Sequence, residues 1–143
     1  MGELANLSQQ TIRNTVGNMV FSKGGLAELA SPGAAVRTTA AVAFSNGGLM
    51  YSKAAIASQA LSGTVVPIST TAYFVLSLDA SGNVTVNQGT GALPDVADSL
   101  TPFGIIKVVT NGSTTFTPGT TATNAAGVTV TFYDVSLLPA TAP

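Results

Sequence analysis

Between Thr71 and Thr90 the chain reads TAYFVLSLDASGNVTVNQGT, in which apolar residues alternate with others, stop at a turn-forming cluster and resume with the same period. Phe74, Leu76 and Leu78 fall on one face of an extended segment, and Val84 and Val86 repeat the pattern between Thr85 and Asn87. Period two marks a half-buried strand, because successive Cβ atoms point to opposite faces. Asp79-Ala80-Ser81-Gly82-Asn83 supplies the reversal between the two runs. The stretch predicts a β-hairpin, and any fold that holds it must be built on antiparallel pairing.

The same alternation recurs elsewhere. Val36, Thr38, Ala40, Val42 and Phe44 share one face, with Arg37, Thr39, Ala41 and Ala43 on the other, which predicts a single strand. Asn46-Gly47-Gly48 tolerates positive φ and turns that strand into Leu49 to Ala54. GALPDVADSLTP predicts a proline-punctuated loop with one helical turn around Asp95 to Leu100. FGIIKVVTNGS follows as an apolar strand ending at Asn-Gly, FTPGTTATNAAG as a long polar connection, and VTVTFYDV as a last strand with Val128, Val130 and Phe132 together. Helices of crossover length are missing between these strands, so the expected class is all-β: an antiparallel β-sandwich or jelly-roll-like barrel with an N-terminal arm or short helix.

The turn-rich joint from Ala30 to Ala35 divides an expected N-terminal appendage, 1–35, from an expected β-sandwich domain, 36–143. In the first part Leu4, Leu7, Ile12, Val16 and Met19 recur at spacings of three to five, which suits one side of a short helix and equally an extended arm that orders on a partner. VFSKGGL, Val20 to Leu26, shares letters with VAFSNGGL, Val42 to Leu49, but falls in the appendage, so the likeness is read as coincidence.

Composition narrows the function. Only 8 % of the 143 residues are charged and the net charge is -1, so the surface is mostly uncharged and copies repel one another weakly. Arg13, Lys23, Arg37, Lys53 and Lys107 stand singly, without the basic stripe that tracks phosphates, so no nucleic-acid partner is expected. The uncharged runs Ala54 to Leu78 and Val108 to Tyr133 are interrupted by Pro, Ser, Thr and Gly and suit strands better than a membrane helix. The first residues have no apolar stretch of signal-peptide type.

The chain contains no His and no Cys, which removes the commonest general base, the thiol nucleophile and the main transition-metal ligands. Asp95 and Asp98 are the one close acid pair, and their proline-bounded loop reads more simply as solvated. Asp79 to Asn83 starts like a calcium loop but lacks its further acids, so a β-turn is expected. In Ser22-Lys23 and Ser52-Lys53 the lysine is poorly placed to deprotonate its neighbour, since adjacent side chains on a strand diverge. No enzyme, cofactor or metal is expected. What remains is a binding or assembly role for Ser- and Thr-rich strands.

The ordered series FSNGGLMYSKAA, AYFVLSLDASGNVTVNQGT, ALPDVADSLTPFGIIKVV and TTFTPGTTATNAAGVTVTFYDVS resembles small virion structural proteins of tailed bacteriophages, over about residues 36–136. It departs from their pattern after Gly119-Thr120-Thr121, where Ala122-Thr123-Asn124 replaces the usual Asp or Leu. The resemblance implies a capsid decoration, or cement, protein on the capsid exterior, with the major capsid protein as partner and a homotrimer as the assembly. Leu4, Leu7, Ile12, Val16 and Lys53 are the expected interface residues. The alternative is a phage fibre or receptor-binding module recognising cell-surface glycan, for which Tyr51, Tyr73 and Tyr133 would line a concave face.

Overall fold

In the computed structural model, which describes residues 17–136, nine strands and no helix are found. In chain order they are β1 (Leu26–Glu28), β2 (Ala35–Thr38), β3 (Val42–Asn46), β4 (Leu49–Lys53), β5 (Gln59–Ala60), β6 (Thr71–Leu78), β7 (Val84–Thr90), β8 (Thr101–Thr110) and β9 (Val128–Asp134). All pairings are antiparallel. The class expected from sequence, an all-β sandwich, is the class observed.

The β6–β7 hairpin pairs from Leu78↔Val84 to Ala72↔Thr90. Its turn is closed by the Asp79 carboxylate, which accepts the Ser81 and Asn83 N–H groups at 2.8 and 2.9 Å and the Asn83 amide at 3.0 Å. These bonds are what an Asx-type turn requires. β8 pairs along the other side of β6 and β9 along β8, giving a four-stranded sheet in the order β7-β6-β8-β9. Ala72, Phe74, Leu76 and Leu78 of β6 and Ile106 and Val108 of β8 are buried on its inner face. The register steps from Leu76↔Gly104 to Ser77↔Pro102, so a bulge leaves Phe103 without a partner on β6, its side chain buried.

The opposing layer is the β1-β2-β5 sheet and the β3–β4 hairpin. Val20, Leu26, Val36, Val42, Phe44 and Leu61 close the same core from that side. Between the layers Phe116 lies edge-on to Phe74, with ring centroids 6.1 Å apart. Its backbone forms a two-bond bridge to Val66, at 2.8 and 3.0 Å. The connection expected to be merely polar therefore carries a fully buried core residue.

Three expectations are corrected. The strand predicted through Val36 to Phe44 breaks at Thr39–Ala41, leaving Ala40 exposed although Val36, Thr38, Val42 and Phe44 are buried. Pairing partners explain the break: β2 pairs with β1, whereas β3 pairs with the segment before it, through a Val20↔Phe44 bridge. Bonds from Thr39 N–H to Gly25 O (3.1 Å) and from Ala40 N–H to Gly24 O (2.9 Å) hold the bend. Gly24 must lack a side chain there, since a Cβ would sit 2.8 Å from Val42 Cγ2.

Residues 20–28, placed in the expected appendage, thus pack into the sandwich, and the boundary expected at 35 falls within β2, the strand that pairs with β1. The start of Val20 to Leu26 lies beside the segment it resembles, Val20 bridging Phe44 and Phe21 N–H bonding to Ala43 O at 2.8 Å. The helical turn expected at Asp95 to Leu100 is only a turn, closed by Leu100 N–H to Ala97 O at 3.0 Å.

Candidate functional site

Of the interface residues expected from sequence, Leu4, Leu7, Ile12 and Val16 lie outside the described residues. Lys53 ends β4 opposite Val42, half-buried. A Cβ built on Gly82 would lie 3.6 Å from Lys53 Cδ, so the stem of this lysine rests beside the β6–β7 turn.

The candidate catalytic groups are not assembled into a site. Asp95 and Asp98 are exposed and contribute to structure through their main chains: the Asp95 carbonyl accepts Asn87 Nδ2 at 3.5 Å and the Asp98 carbonyl accepts Asn18 Nδ2. Ser22 Oγ is occupied by backbone, accepting Ala43 N–H at 2.8 Å and donating to Ala41 O at 3.3 Å. Ser52 is exposed while Lys53 is turned inward, as alternation on a strand requires. Hydrogen bonds from Asn83, then from Ser81 and Gly82, hold the Asp79 carboxyl below the usual carboxylate range. No group of three acids or other ligands close enough to hold a metal ion occurs among the described residues.

What the fold does present is the tip of the β3–β4 hairpin. Gly47 and Gly48 both take positive φ, 60° and 82°, the two-residue turn whose twist matches paired strands. That turn forces Leu49 and Met50 to the end of the hairpin, 62 % and 63 % exposed. The turn end of the hairpin is fixed to the four-stranded sheet and the loop before β8 by Asn46, whose Nδ2 donates to Ser99 O at 2.8 Å, Thr101 Oγ1 at 3.3 Å and Leu78 O at 3.5 Å. Thr101 Oγ1 in turn donates to Ser45 O at 2.7 Å. Asn18 adds a second tie, accepting Gly47 N–H at 2.8 Å and donating to Leu100 O at 3.3 Å. Two large apolar side chains are therefore held out on a braced support.

Near this support is a cavity of about 310 Å³ lined by Asn18, Met19, Val20, Pro102, Val135 and Ser136. Composition and periodicity gave no sign of it, because it joins residues remote in sequence. The three tyrosines do not share a face. Tyr51 stacks on Phe44 with centroids 5.6 Å apart, while Tyr73 and Tyr133 lie on the outer face of the four-stranded sheet, in rows with Lys107 and Ile105. No protein-family model, curated protein or solved structure matches the chain.

Proposed function

We propose that this chain is a non-enzymatic decoration, or cement, protein that binds the outer surface of a tailed-phage head and stabilises the shell. The observation that carries the reading is the exposed Leu49–Met50 pair on a braced hairpin, in a chain whose Asp95 and Asp98 carboxylates stand apart in an exposed loop and whose Ser22 hydroxyl is bonded to backbone. Large apolar side chains held away from the core, one on each face of the hairpin tip, offer a surface for contact with a partner. A ligand that binds only the intact shell stabilises it by mass action, so such a protein needs adhesion and no chemistry. The low charge supports the same reading, since little charge must be desolvated when a seam between capsid subunits is covered. A homotrimer on local three-fold positions fits shell symmetry, with the major capsid protein as partner.

The test is co-sedimentation with capsids lacking the protein, followed by heat challenge. Bound chain should raise the temperature at which capsids rupture, and Leu49→Ser with Met50→Ser should abolish both effects while leaving the chain folded. Unchanged capsid stability with no bound copies rejects the proposal.

Tyr73 and Tyr133 on one outer face favour a second reading, a fibre or receptor-binding module that stacks sugars on those rings. Copy number separates the two: hundreds per particle for a cement protein, a few to tens for a fibre.

A further inference from the structure

β9 is the last strand of the four-stranded sheet, and among the described residues no strand pairs with its outer edge. The bonds flanking the β8–β9 ladder, Asn111 N–H to Gly127 O at 2.9 Å and Val135 N–H to Phe103 O at 3.1 Å, fix which way its backbone faces. They fall on odd-numbered residues in the same register as the ladder, so Thr129, Thr131 and Tyr133 also point their main-chain groups at β8. Val128, Val130, Phe132 and Asp134 consequently aim theirs outward. Among the described residues, the hydrogen bonds at this edge lie at its two ends: Val128 N–H bonds to Ala125 O at 3.0 Å, and Asp134 Oδ1 accepts Leu26 N–H at 2.9 Å, where β1 packs beside β9.

Two other strands at sheet margins carry features that discourage pairing. β7 is clamped by Gln88, which accepts Thr64 N–H at 2.6 Å and donates to Thr64 O at 3.0 Å. β4 ends in Lys53. β9, VTVTFYD, holds no proline or lysine, and its one charged side chain is engaged with Leu26. Uncharged unpaired edges of this kind are templates for another strand.

We infer that the occupant is a second copy of the chain, its β9 running antiparallel to the first across a two-fold axis at Thr131. This is the symmetric register that overlaps all seven residues of the strand. It sets the outward groups of Val130 against those of Phe132 of the second copy, and the reverse, so four backbone hydrogen bonds form about the axis. Side chains match as well: Val130 meets Phe132, Thr129 meets Tyr133, and Thr131 meets itself, the aromatic–β-branched and Thr–Thr pairs that stabilise antiparallel sheets. The net charge of -1 opposes the approach only weakly. The product is a continuous eight-stranded sheet with the outer faces of both copies on one side. The pairing needs no capsid and stands or falls apart from the decoration reading.

The test uses the full chain in analytical ultracentrifugation and mild oxidation. The unmodified chain should show a concentration-dependent dimer. Thr131→Lys sets two like charges opposite each other on a solvent-facing position and should weaken the dimer about tenfold or more without altering the fold. Thr131→Cys places the chain's one thiol in a non-hydrogen-bonded pair at a Cα separation of about 4.5 Å, within disulfide reach. It should cross-link quickly, whereas Thr129→Cys should not. A chain monomeric at its highest soluble concentration overturns the inference, as does a dimer indifferent to Thr131→Lys or equal cross-linking by the two cysteine variants. Dimers that form only after removal of residues 137–143 also overturn it, by assigning the edge to the chain's own tail.

Discussion

Replacing Asn46 with alanine removes the amide that holds the β3–β4 hairpin against the main sheet. The bonds lost are 2.8 Å to Ser99 O and 3.3 Å to Thr101 Oγ1, with a longer approach to Leu78 O. The first two contribute about 1 kcal/mol each, and acceptors left unpaired at a residue only 9 % exposed cost about 1 kcal/mol more. The sum, about 3 kcal/mol, corresponds to a fall in Tm of about 10 °C for a domain of this size. Urea unfolding should show a lower midpoint at unchanged slope, because the surface exposed on unfolding stays the same. Asn46→Asp should be worse at neutral pH, since a carboxylate would face the carbonyls of Ser99 and Leu78, and should recover toward acid, where a protonated carboxyl can donate one bond. A loss below about 1 kcal/mol for Asn46→Ala, or an Asn46→Asp variant with no pH dependence of its own, refutes the assignment of Asn46 as the anchor.

Phe116→Ala empties a fully buried site against Phe74 and should cost about 3–5 kcal/mol in chemical denaturation. Gly48→Ala forces a side chain to φ 82° and should cost about 1–2 kcal/mol, whereas Gly47→Asn at φ 60° should be nearly neutral, because asparagine tolerates that conformation. The lowered Asp79 pKa sets the sign of a pH effect: the stability it contributes is present above the ordinary carboxylate value and is lost as pH falls through the lower folded value. Asp79→Asn should therefore flatten that part of the acid limb of a stability–pH curve, and an unchanged limb contradicts the turn's role.

The hairpins were legible because their determinants are local. Phe74, Leu76 and Leu78 set a face, and Asp79 to Asn83 and Gly47-Gly48 set the reversals, so the chain needs no distant partner to define them. What escaped was pairing between remote segments. Periodicity ran unbroken through Thr39 to Ala41, yet the chain bends there because Gly24 and Gly25, far back in sequence, take up those backbone bonds. Val20 to Leu26 looked like part of an arm for the same reason: three-residue β1 is defined only by what it pairs with. At the candidate site Lys53 drew attention as a rare charge, while the residues at the exposed tip, Leu49 and Met50, looked like ordinary strand residues. Asn46 was noted for its turn, but its amide's role needed Ser99 and Thr101 brought beside it, which only the tertiary fold does.

The proposed role is tested most directly by locating labelled chain on purified particles by electron cryomicroscopy. The decoration reading predicts density on the outer surface of the head at regular symmetry positions, in hundreds of copies, with the Leu49–Met50 tip against the shell. Label confined to the tail or fibres, or particles carrying none, contradicts it.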